Sequence, residues 1–312
     1  MPNIYWAWLL AKGKIMLKKL ALCALLAVST QSKADDYLLY FMGGQSNMEG
    51  FGFNKDLPAQ YKKPVENTLL FFGNPVADDA LNGGKGVWTN LMPGFGTGAR
   101  STDHSIILSD RFGPELSFGK RLSELTDKKI AIIKYARGGS SIALGASGFG
   151  TWGQHYADNS KINQWDNFQT TVRAALANND IDGDGVADTL VPAGIIWMQG
   201  EADAYHEQAS KVYLANLTSL MNDMKMTFGD NELPIILGRI EDSGKTPQTR
   251  MMPYIESVWD AQKKFVKSNA NVHLVAFDEP VEFIEDKWHY KSNYYIKLGN
   301  LFAEKAAETL AK

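Results

Sequence analysis

Short continuous apolar runs alternate along the chain with longer stretches in which apolar positions fall three or four residues apart. The runs Tyr37 to Met42, Lys129 to Tyr135, Ala193 to Met198, Pro234 to Ile240 and Val272 to Phe277 read as strands buried on both faces. The stretches Pro114 to Leu125, Asn163 to Ala177, Ala204 to Phe228, Pro253 to Lys267 and Asn293 to Ala311 read as helices. Strand and helix alternating in this way predict a single-domain α/β fold, a three-layer α/β/α sandwich around a mainly parallel five-stranded sheet. Such sheets bind ligands beyond the carboxyl ends of their strands. Residues 74–113 and 143–162, rich in Gly, Asn and Ser with aromatics interspersed, fit no element, and loops of that length in a compact domain usually carry function or move.

The N-terminus follows another pattern. MLKKLALCALLAVSTQSKA, residues 16–34, has two lysines, an apolar stretch from Leu20 to Val28, and small residues at Ser32 and Ala34. That is the pattern of a secretory signal peptide cleaved after Ala34, and it predicts a secreted or periplasmic protein. Met16 opens a complete signal, so residues 1–15 read as an upstream extension. The apolar stretch is too short to span a bilayer, and no stable membrane anchor is expected. The predicted domain is therefore 35–312.

Removing the leader changes the charge and the thiol inventory. The whole chain carries 32 basic and 35 acidic residues; without the leader's five lysines the balance is 27 to 35, a net of −8. A domain that acidic does not attract nucleic acid or anionic lipid. The single cysteine, Cys23, leaves with the leader, so neither a disulfide nor a thiol nucleophile is expected in the mature protein.

FMGGQSNMEG, residues 41–50, sets Ser46 immediately after the first strand among glycines and amides. A serine there is either a helix cap or a nucleophile, and the second role needs a base, a group to orient that base, and donors for an oxyanion. EDKWHY supplies His289 after the last strand, with Asp286 three residues upstream, within one turn's reach of the imidazole. YARGGSSI, residues 135–142, ends another strand with paired glycines whose backbone N–H groups can approach a ligand closely. WMQGEAD ends the next strand with the amide of Gln199. One such strand end is an ordinary turn; four converging on one sheet edge are much harder to read as turns alone.

GQSNM, the GPEL at 113–116, ARGGSSI, WMQGEAD and DKWH, in that order, resemble the sialate O-acetylesterase and acetylxylan esterase family, carbohydrate esterase family six of the SGNH hydrolases. The resemblance runs from about Tyr37 to the last helix and implies a flavodoxin-like sheet and a serine esterase acting on an acetylated carbohydrate. It implies Ser46 as nucleophile, His289 as general base and then acid, and Asp286 as the orienting carboxylate. It puts the oxyanion hole at the backbone N–H of Ser46, a backbone N–H in the Gly138–Gly139 turn, with Gly139 favoured, and the side-chain amide of Gln199. No cofactor is required by this chemistry.

Glu201 and Arg137 read as a supporting pair that braces the turns, with Glu201 as the triad acid the competing reading. Trp152 and Tyr156, with Trp88 and Trp165, are candidates for stacking on sugar rings; for Trp165, which begins a helix, a core position is the competing reading. His104, His155 and His206 lack the spacing of metal ligands. Asn47 either caps the following helix or fixes the turn. NDIDGDGVAD, residues 179–188, spaces Asp180, Asp182, Asp184 and Asp188 around Gly185 like a calcium loop, without the acidic residue at the twelfth position, which is Val191. A structural calcium and a plain Asp/Gly turn both fit. Two rival functions remain open: a general short-chain aryl or lipid esterase, and a non-catalytic carbohydrate-binding module. Oligomeric state is not legible from the sequence.

Overall fold

The computed structural model describes residues 34–74, 83–153 and 162–311. The predicted leader up to Lys33 lies outside them, as do Tyr156 and His155. Seven strands form one sheet: β1 (Asp36–Gly44), β2 (Thr68–Phe72), β3 (Trp88–Asn90), β4 (Lys129–Ala136), β5 (Thr189–Met198), β6 (Ile235–Gly238) and β7 (Val272–Val275). Their order is β7-β6-β5-β1-β4-β2-β3, all parallel except the edge strand β3. The helices are α1 (Ser46–Glu49), α2 (Glu115–Thr126), α3 (Gln164–Leu176), α4 (Glu201–Tyr205), α5 (Glu207–Thr227), α6 (Ile255–Lys267) and α7 (Ser292–Leu310).

The five predicted strands and the helical segments are present, but the sheet is larger than five strands. TLLFF, β2, is a parallel strand buried along its whole length. Four apolar residues after a threonine carry no periodicity that separates strand from loop core, so pattern alone passes over them. The helical reading of Ala204 to Phe228 also changes: the chain breaks at His206, whose backbone is extended, into α4 and α5. Ile130, Ile132 and Ile133 of β4 are fully buried, as a strand covered on both faces requires, and each contributes about 2 kcal/mol.

β1 is the central strand, flanked by β5 and β4, so the sheet's switch point lies at its carboxyl end. Register places Gly44 beside both Ala136 and Met198, so the three strands finish level and their following turns meet. Gly44 has φ +144°, and a Cβ there would lie 1.9 Å from the Met198 carbonyl oxygen, so only glycine lets β1 pass this close to β5. The level below is held by Lys134, a fully buried lysine in β4. It pairs with Glu115 Oε2 at 2.6 Å and donates to the carbonyls of Glu49 and Phe95, both at 2.8 Å. Burial lowers its pKa, and the Glu115 carboxylate opposes that fall. The GPEL segment therefore anchors α2 beneath the Ser46 turn.

Candidate active site

A cavity of about 480 Å³ opens at this switch point, lined by Ser46, Gly139, His206, Trp288 and His289 among others. Ser46 begins the four-residue helix α1, and Gln45 before it is extended, so the hydroxyl emerges at the end of β1. From the other side comes the loop 282–291, closed on itself by the Phe283–Tyr290 bridge and the Ile284 N–H bond to the His289 carbonyl at 2.9 Å. Within it Asp286 Oδ1 accepts the backbone N–H groups of Trp288 at 2.8 Å and His289 at 3.0 Å, while Oδ2 lies 2.7 Å from His289 Nδ1. Burial alone would raise the Asp286 pKa, but the bonds from the His289 ring and these two N–H groups outweigh it and hold the carboxyl below its usual range. Phe51 stacks flat on the His289 ring, with centroids 3.5 Å apart and planes 1° apart. The imidazole is thus fixed in plane and by its Nδ1 edge where it lines the cavity.

Asn47 joins the two halves. Its Nδ2 donates to Glu201 Oε1 at 2.8 Å and to the Trp288 carbonyl at 3.2 Å, and its Oδ1 accepts from Tyr295 Oη at 2.9 Å. It fixes the histidine loop against the serine turn rather than capping α1, whose N-cap residue is Gln45.

One of the three expected donors differs. Gly138 N–H is committed to Glu49 Oε2 at 3.0 Å, whereas the N–H groups of Gly139 and Ser46 donate to no protein atom among the described residues. Gly139 has φ +68°, with the Phe149 ring packed where a side chain would stand. Gln199 is corrected: it is fully buried and does not line the cavity, and its Nε2 donates to the Ser140 carbonyl at 3.2 Å and Asp203 Oδ2 at 2.7 Å. A neighbour missed in the sequence reading stands nearer. Gln45 lines the cavity, and its Oε1 accepts from the N–H groups of Gly200 at 3.2 Å and Ala202 at 3.3 Å. Its Nε2 donates to no acceptor among the described residues. Adjacency to Ser46 was the available signal, and only the tertiary bonds show which amide is spent.

Glu201 does not pair with Arg137. Its partner is Asn47, its Oε2 makes no hydrogen bond, and burial raises its pKa to about 7 against the lowering effect of the Asn47 bond. Nor does Glu201 hydrogen-bond His289, whose Nδ1 takes Asp286. Arg137 is buried beside the Gly138 turn. Trp152 is also corrected: it is fully buried, edge-on to Trp197 and Tyr135, with its Nε1 donating to Ser140 Oγ at 2.8 Å. Trp88 and Trp165 likewise pack into the core. The aromatics at the cavity are Phe51, Phe149, Tyr205 and Trp288, of which Phe149 and Tyr205 are about half exposed.

The aspartate loop lies away from this cavity. Oxygens of Asp180, Asp182 and Asp184 gather within 4.8 Å of one another, while Asp188 groups with Asp182 and Asp35 instead. Backbone N–H groups already serve these carboxylates, among them Gly183 and Gly185 to Asp180 at 2.9 and 3.0 Å, and Ile181 to Asp188 at 2.9 Å. The oxygen-rich set suits calcium, and the turn also closes without it.

This sheet, with its site at the switch point, is a single-domain, mostly parallel α/β fold flanked by helices. Solved structures with the same fold include a protein from Arabidopsis thaliana (TM-score 0.60, 17% identity, covering 88% of this chain and 99% of that one) and NanS (TM-score 0.59, 15% identity, covering 90% and 99%). A carbohydrate acetylesterase from Xanthomonas citri is also similar, with TM-score 0.54 and 16% identity, covering 86% of this chain and 56% of that one. The chain belongs to the family described as carbohydrate esterase, sialic acid-specific acetylesterase, whose profile matches residues 36–308. It is thereby a carbohydrate esterase. No curated protein matches the sequence. Among the described residues no helix is long and apolar enough to cross a membrane.

Proposed function

We propose that this protein removes acetyl groups from sugar hydroxyls through an acetyl-enzyme formed on Ser46. The observation that carries the reading is the meeting, in one cavity, of Ser46, an imidazole oriented by Asp286, and two backbone N–H groups with no partner among the described residues. Ser46 Oγ attacks the acetyl carbonyl carbon while His289 Nε2 takes its proton, and Asp286 stabilises the imidazolium. The negative oxygen is received by the N–H groups of Ser46 and Gly139 and by Gln45 Nε2. Collapse expels the sugar alkoxide, protonated by His289. Water activated by the same imidazole then adds to the acetyl carbonyl, and acetate leaves as Ser46 recovers its proton.

Catalysis by this route needs no metal, and the aspartate loop, if it holds calcium, braces the entry to β5. The leader ending at Ala34 would deliver the enzyme outside the cytoplasm, which N-terminal sequencing of the mature protein tests. Ser46→Ala and His289→Ala should each abolish hydrolysis of p-nitrophenyl acetate with far-UV circular dichroism unchanged. Activity surviving in both would overturn the mechanism. The apolar walls supplied by Phe51, Phe149 and Trp288 also suit an aryl ester, so a general short-chain esterase is the second reading. Aryl acetate turned over while acetylated sugars are left intact would favour it.

A further inference from the structure

The ring contact at His289 has a geometry that distinguishes the two charge states of an imidazole. Phe51 and His289 have centroids 3.5 Å apart and planes within 1° of parallel, so the rings overlap face on. Two neutral aromatic rings avoid that arrangement and slide to an offset or edge-on one, because their electron-rich faces repel. A cation, in contrast, is drawn to the centre of such a face. Aromatic pairs in the core follow the neutral rule: Phe41 meets Phe168 at 68° and Trp152 meets Trp197 at 84°. The face-on stack is the arrangement that suits an imidazolium.

Phe51 is also held in place independently of His289. Gly50 has φ +103°, and a Cβ there would collide with Gly113, so glycine lets this turn pass against the GPEL segment. The Gly50 carbonyl accepts from Thr97 N–H at 2.8 Å, the Phe51 carbonyl accepts from Arg111 Nη1 at 2.8 Å, and Phe53 N–H donates to Ser292 Oγ at 3.0 Å. Gly52 and Phe53 pair antiparallel with Phe112 and Arg111. One pinned segment therefore presents the phenyl ring, and the loop closed at Tyr290 brings the imidazole to it.

We propose that Phe51 is a positioning residue that stabilises the imidazolium form of His289, favouring the positive charge that appears as the ring takes the Ser46 proton. The inference rests on the esterase reading above and adds to it a side chain that acts through the base: Asp286 supports the charge at the edge of the ring, and Phe51 supports it at the face. Other charged and titratable groups also surround His289. Lys287 is beside it in the loop, Glu201, Tyr205 and His206 line the same cavity, Tyr295 on α7 lies near Asp286, and Arg111 stands behind Phe51. All of them are retained when Phe51 alone is changed, so the difference between variants reports the ring.

The test replaces Phe51 by Leu, by Tyr and by pentafluorophenylalanine, which keeps the shape of the ring and reverses the polarity of its face. Two quantities are read: the midpoint of the His289 Cε1–H titration by NMR, assigned by its loss in His289→Ala, and the pH profile of kcat/KM for p-nitrophenyl acetate. With Leu and with pentafluorophenylalanine the midpoint should fall by about 0.5–1 pH unit and the plateau of kcat/KM by about 3–10-fold, because one interaction is lost from both the charged ring and the transition state. Phe51→Tyr, whose ring face stays electron-rich, should keep both near the wild-type values. Melting temperature verifies folding, and the pentafluorophenylalanine protein preserves the packing that Leu reduces. A midpoint unchanged with pentafluorophenylalanine, or a rate lost with Leu and retained with pentafluorophenylalanine, would overturn the proposal and leave Phe51 a packing group. Failure to cleave any acetate ester would instead overturn the esterase reading, while the NMR midpoints would still decide whether the stack favours the imidazolium.

Discussion

Replacing Glu201 by Gln is expected to stabilise the protein at pH 8 and to leave it nearly unchanged at pH 5. Glu201 is 2% exposed, its Oε1 takes one hydrogen bond from Asn47, and its Oε2 takes none. Burial therefore favours the neutral acid, raising the pKa from 4.5 to about 7. The folded state holds this proton more tightly than the unfolded chain does. The stabilisation from protonation is thus fully present below pH 4.5, and it is lost as pH rises through 7. A shift of that size amounts to about 3 kcal/mol at most, at about 1.4 kcal/mol per unit. Glutamine keeps the acceptor for Asn47 and the shape of the neutral acid, but cannot ionise. Urea unfolding at pH 5, 6, 7 and 8 measures the difference in stability between variant and wild type. That difference should grow in favour of the variant by about 2–3 kcal/mol across the series, a midpoint shift approaching 1 M for an m-value of about 3 kcal/mol/M. Asp203, also raised by burial, is one of the charges that raise Glu201, so its coupling to Glu201 forms part of the measured difference. A difference that stays constant with pH would refute the reasoning, since it would mean that Glu201 is already ionised in the folded protein at pH 5.

The other residues of the site make separable predictions. Asn47→Ala strands three buried partners, Glu201, the Trp288 carbonyl and Tyr295, and should cost about 3–5 kcal/mol in chemical denaturation together with a fall in kcat as the histidine loop loosens. Gln45→Ala should lower kcat for p-nitrophenyl acetate by roughly 100-fold, the scale of one lost oxyanion donor. Gln199→Ala should register chiefly as lost stability, because it removes the donor that serves Asp203; equal kcat losses with no difference in melting would contradict this division. Asp286→Asn should reduce kcat by about 10³–10⁴-fold with KM little changed, because the imidazole loses the partner that sets its tautomer. If the aspartate loop holds calcium, addition of the ion at about 100 times its dissociation constant should stabilise by about 2.7 kcal/mol, and chelation should lower Tm; a melt indifferent to both would remove calcium from the account.

Much of this molecule was legible in one dimension. Runs such as Lys129 to Tyr135 carry strand identity because an all-apolar segment of that length must be covered on both faces, and the helical periodicities carry the layers that cover it. The positions of Ser46, Gly139 and His289 at segment ends followed from the same pattern, since a parallel sheet gathers those ends at one edge. Asp286 was legible because its contact with His289 is local, a matter of one turn.

What could not be read were choices among chemically equivalent groups. Gln45 and Gln199 are both amides at strand ends, and only the packing of Asp203 and Ser140 around one, and of Gly200 and Ala202 around the other, decides which keeps a free donor. Glu201 had an arginine available in the sequence and took Asn47 instead, because α4 and the serine turn meet on that side. Trp152, surrounded by glycines in a polar loop, looked exposed, but the loop folds over it against Trp197. Hydrophobic pattern and local spacing determine which elements form and where chemistry gathers. Tertiary contacts, from Gln199 with Ser140 to Gln45 with Gly200, determine which hydrogen-bonding capacity is consumed by the fold and which is left for a substrate.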